Sequence, residues 1–433
     1  MRGLIALILL GIAQPCVAQT PPPAPPAAAV AADPALTTRA NELIGIVAGT
    51  GDFDGYFSPS FHAALSKDKW DAVVASMTGQ MGKPLAVVTI TPVTPFTAYL
   101  RLKFERGIVN AQIAVDPAAP HAVTSLLFTG GEVADDSFDK LKADFRALPG
   151  KSGFIVHPLD DRVPPHDIVE YNGIERAPLG SAFKLWVLGE LTREINAGER
   201  HWADVVPLGP PSLPSGMTQS WPAGSPVTLQ TLATLMISIS DNTATDTLVT
   251  LEGTKLDAFG PFGLGPVPTT RQMFALKSPA NADLAARWAA TFAPATRRKL
   301  LDDSAARLAT TAVDTSLFSG RPVAIDTLEW FASPGDVVGV LDMLRRRGGE
   351  TALAILAINP GTDAATRARF DYVGFKGGSE PGVITLNYLV RRKDGRWLAV
   401  AGNWHRADAR VDELAFSQLM TRALVLASNV PLP

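Results

Sequence analysis

Leu179-Gly180-Ser181-Ala182-Phe183-Lys184-Leu185-Trp186 is the stretch from which the rest of the chain becomes readable. Gly180 closes an extended run, and Leu185, Val187, Leu188 and Leu191 then recur at helical spacing, which predicts a helix to about Ala197. Ser181 and Lys184 fall three positions apart in its first turn and share a face. A hydroxyl beside an amine at a helix N-terminus is a nucleophile with a base at hand, and the positive end of the helix favours the negative charge that develops. The same two residues also suit a capping serine and a solvated lysine, so the remainder of the chain must decide.

Two further clusters follow in order. Thr228 to Ile239 has a helical pattern and runs into Ser240-Asp241-Asn242. A helix, a Pro- and Gly-rich surface stretch (207–226) and a second helix return the chain to the first turn. There Ser240 is placed to relay a proton to a leaving group, and Asn242 to hold an acyl chain and the lysine. A polar interhelix turn also explains this triplet. The third cluster, Gly374-Phe375-Lys376-Gly377-Gly378-Ser379, lies where Asp371 to Phe375 and Val383 to Arg391 alternate as antiparallel strands, with Trp397 to Asn403 as a third and Asp412 to Leu426 as a closing helix. Glycines after a strand lysine let a substrate lie against the backbone, and the N–H of Ser379 can join that of Ser181 in an oxyanion hole. A hairpin edge with a solvated lysine is the plainer reading of the same residues.

Ser181-x-x-Lys184, Ser240-Asp241-Asn242 and Lys376-Gly377-Gly378, in this order, resemble the three-part signature of class A β-lactamases and penicillin-binding proteins. Ser225-Pro226-Val227-Thr228 and Thr243-Ala244 on either side of the second cluster are similar to that family too. The resemblance covers about residues 137 to 430. It implies an α/β (α+β) fold with an antiparallel sheet flanked by helices plus an all-helical part. It also implies an acyl-enzyme at Ser181, with Lys184 as base, Ser240 as proton donor polarised by Lys376, and Asn242, Gly378 and Ser379 binding the substrate.

The chain departs from the family at two places. Thr270-Arg271 resembles the start of the loop that carries the water-activating glutamate, but five residues on stands Leu276. A long segment from Ala280 to Asp326 follows, with helix patterns around Trp288 and Leu300, before Glu329 and Ser333-Pro334. Glu329 is a misplaced candidate for the lost base, which leaves Lys184 as the expected activator of the deacylating water. Gly377 replaces the hydroxyl residue that usually follows the lysine and helps bind a substrate carboxylate. Arg391, Arg392 and Arg406 offer compensating charge, although solvated strand ends explain them equally.

The whole chain sets the frame. With 433 residues, 46% apolar and 19% charged, it is globular in composition and long enough for two or three cores. A net charge of −3 implies no basic surface for nucleic acid. Residues 1–18 read as a secretory signal: Arg2, an apolar run from Leu4 to Ile12, and small residues at Cys16-Val17-Ala18. The apolar run is too short to span a membrane, so no span is expected after its removal. Cys16 is the only cysteine, so a processed chain has no thiol chemistry or disulfide.

Residues 19–34 are a Pro- and Ala-rich linker. Residues 35–135 predict a small α+β domain, with helices over Leu36 to Val47 and Lys67 to Met81. Strands are expected over Leu85 to Val93, Thr97 to Phe104, Val109 to Val115 and Ala122 to Phe128. This order resembles the cone-shaped steroid-isomerase and polyketide-cyclase group. The pairing of such a unit with the catalytic part resembles the two-domain serine hydrolases of clavulanic-acid gene clusters. Within it His62 and Glu105 read as ordinary polar residues.

The sequence therefore predicts a secreted or periplasmic serine hydrolase acting on a small molecule, a β-lactam or an ester. No cofactor or metal is expected, since the six histidines are scattered. A D,D-peptidase-like acyl transferase and a non-catalytic penicillin-binding sensor use the same Ser181. The sequence is silent on oligomeric state.

Overall fold

A computed structural model describes residues 30–159, 168–222, 224–258, 266–291 and 293–431. The expected signal segment lies outside these residues, as does most of the linker. Among the described residues, regular structure begins with the helix Pro34–Val47. Asp33 caps it by accepting from the N–H of Ala35, and Pro34 costs nothing at a position with no hydrogen bond to lose.

The front unit packs this helix and the helix Lys67–Met81 against a four-stranded antiparallel meander of Pro84–Thr94, Thr97–Phe104, Gly107–Val115 and Val123–Val133. Each strand pairs with its sequence neighbour, as short turns between alternating strands dictate. The core of the unit holds Tyr56, Phe57, Trp70, Leu102 and Phe104, so it is built around packed aromatic rings.

Helix Phe138–Ala147, capped by Ser137, leads into the second sheet. Its five strands run in the order Phe370–Glu380, Val383–Arg392, Trp397–His405, Lys151–Pro158, Val169–Tyr171, all antiparallel. The first three are consecutive in sequence, and the last two arrive from the other side of the helical part. One face is covered by Phe138–Ala147 and the closing helix Glu413–Asn429, around Phe145, Phe154 and Phe416. The other face packs on helix Pro334–Arg347 and opens into the main core with Trp186, Leu188 and Leu341. Beyond it stand the helices Lys184–Asn196, Leu229–Ser238, Asn242–Glu252 and Thr270–Lys277, which form the all-helical part. The expected fold class holds: mixed α/β, with an antiparallel sheet flanked by helices and a helical region beside it.

The structure differs from expectation at three local points. Ser181 sits in a 3₁₀ turn, Gly180–Phe183, and the α-helix proper begins at Lys184. The helix after Thr228 ends at Ser238, and a new one starts at Asn242 with Asp241 as its cap. The strand expected over Asp371 to Phe375 continues to Glu380 and takes in the whole third cluster.

Candidate active site

The turn that carries Ser181 is held from three sides. Leu179 donates its N–H to the carbonyl of Trp330 (2.9 Å), next to a two-residue antiparallel bridge between Ala177–Pro178 and Phe331–Ala332. The Leu179 carbonyl accepts from Thr385 Oγ1 at 3.1 Å, and the rings of Phe183 and Trp330 stack 4.0 Å apart. Gly180 has φ +48°, a left-handed conformation that suits glycine. Gly378 has a steric reason: a Cβ there would meet the Ser181 nitrogen at 2.6 Å and that of Ala182 at 2.7 Å. Both glycines let strand Phe370–Glu380 lie against the nucleophile's turn, which brings the backbone amides of Ser181 and Ser379 to the same cleft.

Lys184 is fully buried. Its Nζ lies 2.8 Å from the Ser240 carbonyl, 3.0 Å from Ser240 Oγ and 2.7 Å from Asn242 Oδ1. Burial first, and the charge of Lys376 second, hold this lysine well below the ordinary lysine range, against the pull of Asp246 and Asp241. Lys376 approaches from the strand side, donating to Ser240 Oγ at 3.1 Å and to the Gly377 carbonyl at 2.7 Å. Burial lowers it to about 7. The Ser240 hydroxyl thus sits between two buried amines. One proton arrangement satisfies all three groups: charged Lys376 donates to Ser240 Oγ, and the Ser240 O–H donates to neutral Lys184. No hydrogen bond among the described residues joins Ser181 Oγ to Lys184.

Local chemistry explains how Ser240 is presented. Asp241 caps the helix Asn242–Glu252 through Ala244 N (2.9 Å). It also accepts from Met217 N, Thr218 N and Thr218 Oγ1, at 2.7, 2.9 and 2.6 Å. These bonds pin the preceding loop over the site, and Ser240 adopts φ +58°, uncommon for a residue with a side chain. Asp241 is therefore the turn-forming member of the triplet. Asn242 splits its amide, Oδ1 to Lys184 and Nδ2 to the Leu213 carbonyl at 2.8 Å, so it positions the lysine. Asn242 and Ser240 still line the cavity.

The cavity measures about 540 Å³ and is lined by Ser181, Ser240, Asn242, Lys376, Gly378 and Ser379, so all the predicted site residues but the buried Lys184 reach its wall. Arg391, Arg392 and Arg406 do not line it. Arg406 pairs with Asp408 at 2.7 Å, Arg392 donates to the Ala427 and Val430 carbonyls, and Arg391 lies over the Trp397 ring. The arginine on the wall is Arg410, which sequence reasoning passed over. His62 and Glu105 lie in the front unit, on the Asp54 carbonyl and the Lys83 N–H respectively.

Leu276 is fully buried in the core, so the expected loop position supplies no oxygen to the site. Glu329 does line the cavity, and with it Glu380. Lys277 Nζ joins them, 3.1 Å from Glu329 Oε1 and 2.6 and 2.7 Å from the two oxygens of Glu380. Glu329 Oε2 also accepts from the Gly180 N–H at 3.2 Å. Lys277 and Glu380 went unread. The available signal was position, one beside Leu276 and the other beside Ser379.

Residues 137–260, which include Ser181, Lys184, Ser240 and Asn242, match the β-lactamase enzyme family. No curated protein matches the chain. Among solved structures, a β-lactamase from Sphaerobacter thermophilus is similar at 22% identity and TM-score 0.44, over 68% of this chain and 98% of its own. A mutant of PBP-A, in an acyl-enzyme complex with penicillin G, is similar at 16% and TM-score 0.42, over 66% and 94%. A β-lactamase from Chitinophaga pinensis stands at 15% and 0.43, over 66% and 96%.

Proposed function

We propose that this chain is an exported serine hydrolase that forms an acyl-enzyme at Ser181 and cleaves a β-lactam or an ester. The observation that carries the reading is the buried Lys184–Ser240–Lys376 chain beside Ser181. It supplies an amine neutral enough to accept a proton and a second, polarised hydroxyl to pass one on. As substrate seats, Lys184 exchanges its Ser240 contact for the Ser181 hydroxyl and takes its proton. Ser181 Oγ attacks the carbonyl carbon while the amides of Ser181 and Ser379 hold the oxyanion. Ser240, backed by Lys376, protonates the departing amine or alkoxide. Export rests on the signal-like residues 1–18, and no helix among the described residues is long and apolar enough to cross a membrane.

A second reading, a D,D-peptidase-like acyl transferase, is favoured by the apolar Leu276 where a deacylating carboxylate was expected. Turnover of a chromogenic cephalosporin and a nitrophenyl ester by mature protein tests the first reading. Ser181→Ala is expected to lose activity by at least about 1,000-fold. Retained hydrolysis of either compound in that variant contradicts the proposal. Release of D-alanine from an acyl-D-Ala-D-Ala peptide with no cephalosporin or ester turnover moves the assignment to the second reading.

A further inference from the structure

We infer that Glu329 and Glu380, bridged by Lys277 on the wall of the Ser181 cavity, act as one proton-accepting unit that activates the water releasing the acyl group. This rests on the acyl-enzyme reading above and deepens it. The three residues come from separate elements: the end of helix Thr270–Lys277, the approach to the Phe331–Ala332 bridge, and the end of strand Phe370–Glu380. Lys277 and Glu329 have side chains 1% exposed, and that of Glu380 is 10% exposed.

Charge counting argues against a mere clamp. One ammonium needs one carboxylate, and a second buried carboxylate adds desolvation cost without a counter-charge. The surplus is relieved by a retained proton: burial, with the charge of Glu329 next, pushes Glu380 well above the usual carboxylate range. A buried carboxyl that keeps a proton beside a second carboxylate has one to exchange, and such groups belong at sites of proton transfer.

Position points the same way. The Glu329 bond to Gly180 N ties the pair to the residue before the nucleophile, and both carboxyls line its cavity. Leu276 is buried in the core and offers no alternative oxygen. In the step proposed, the unit takes a proton from water and the water oxygen bonds to the acyl carbon. The bond from that carbon to Ser181 Oγ then breaks, the unit returns the proton to Oγ, and the acid leaves.

Glu380→Gln is the informative variant. It keeps an acceptor for Lys277 and leaves the Lys277–Glu329 pair charge-balanced, so it is expected to fold with a Tm no lower than wild type. Intact mass over time, with a cephalosporin and with a nitrophenyl ester, separates adduct formation from decay. Formation is expected within about threefold of wild type, and decay to be slower by about tenfold in Glu380→Gln and about 100-fold in Glu329→Gln/Glu380→Gln. Equal decay in wild type and folded Glu380→Gln overturns this inference alone, as does a wild-type adduct that never decays. Failure of wild type to form any adduct overturns the Ser181 reading and this inference with it.

Discussion

Ser240 is the residue on which the two lysines converge, and its unusual backbone conformation is the cost of that placement. The lysines carry a larger cost, because an ammonium buried without a carboxylate partner is poorly solvated. Lys376→Met is therefore expected to abolish turnover and yet raise stability at pH 7 by roughly 1–2 kcal/mol. The sign with pH follows from the lowered value of about 7 in the folded chain. Between there and the ordinary lysine range the unfolded chain binds the extra proton, so wild-type stability rises with pH and the advantage of the variant shrinks. Urea unfolding of both proteins at pH 7 and pH 9 checks this, and an advantage that grows with pH contradicts it. Ser181, Lys184, Ser240 and Lys376 were legible because residue type and order suffice for them. The Glu329–Lys277–Glu380 cluster was not, since its partners are joined only by the fold, 52 and 103 positions apart.

At the scale of elements, the helices beside the site carry a second charge imbalance. Glu252, at the end of helix Asn242–Glu252, is buried with neither carboxyl oxygen hydrogen-bonded. It faces Glu190 and Glu194 on the neighbouring helix Lys184–Asn196, together with Arg193 and Arg200. Burial, then the two glutamates, pushes it well above the usual carboxylate range, so the folded chain keeps a proton that the unfolded chain releases. That stability is fully present below the ordinary glutamate range and is lost as pH rises. Glu252→Gln is expected to raise Tm by a few degrees at pH 8 and by less at pH 5, measured by thermal unfolding at both values. A larger gain at pH 5 contradicts the reading. Periodicity revealed the helices but not this end-to-side packing, which depends on the crossing of two helices. The strand through Lys376 runs past the expected Phe375 for a related reason. Its glycines interrupt the alternation, and Gly378 is small because the Ser181 turn lies against it.

The whole molecule joins its two units through the closing helix Glu413–Asn429, which packs on strand Val123–Val133 of the front sheet and on helix Phe138–Ala147. Arg422 on that helix is ion-paired with Asp136 at 2.8 Å and Asp144 at 2.6 Å, and Arg369 reaches Glu132 at 2.8 Å. Asn110 of the front sheet donates to Asp363 at 3.2 Å. Arg422→Ala leaves Asp136 buried without its partner and is expected to cost about 3 kcal/mol. Adduct formation should persist, because Arg422 lies apart from the cavity. Unfolding by urea gives the first quantity and intact mass the second; a loss under 1 kcal/mol contradicts the account of this ion pair. The front unit's order of helices and strands was plain from its alternation. Its attachment was not, because the polar contacts that reach it, Arg369 to Glu132 and Asn110 to Asp363, span 237 and 253 residues of sequence.

The central claim is covalent chemistry at one hydroxyl, and peptide mass mapping after brief exposure to a cephalosporin tests it most directly. The account predicts the added mass on the peptide containing Ser181 in wild type, and none in Ser181→Ala. An adduct on any other residue, or one that survives in Ser181→Ala, contradicts it.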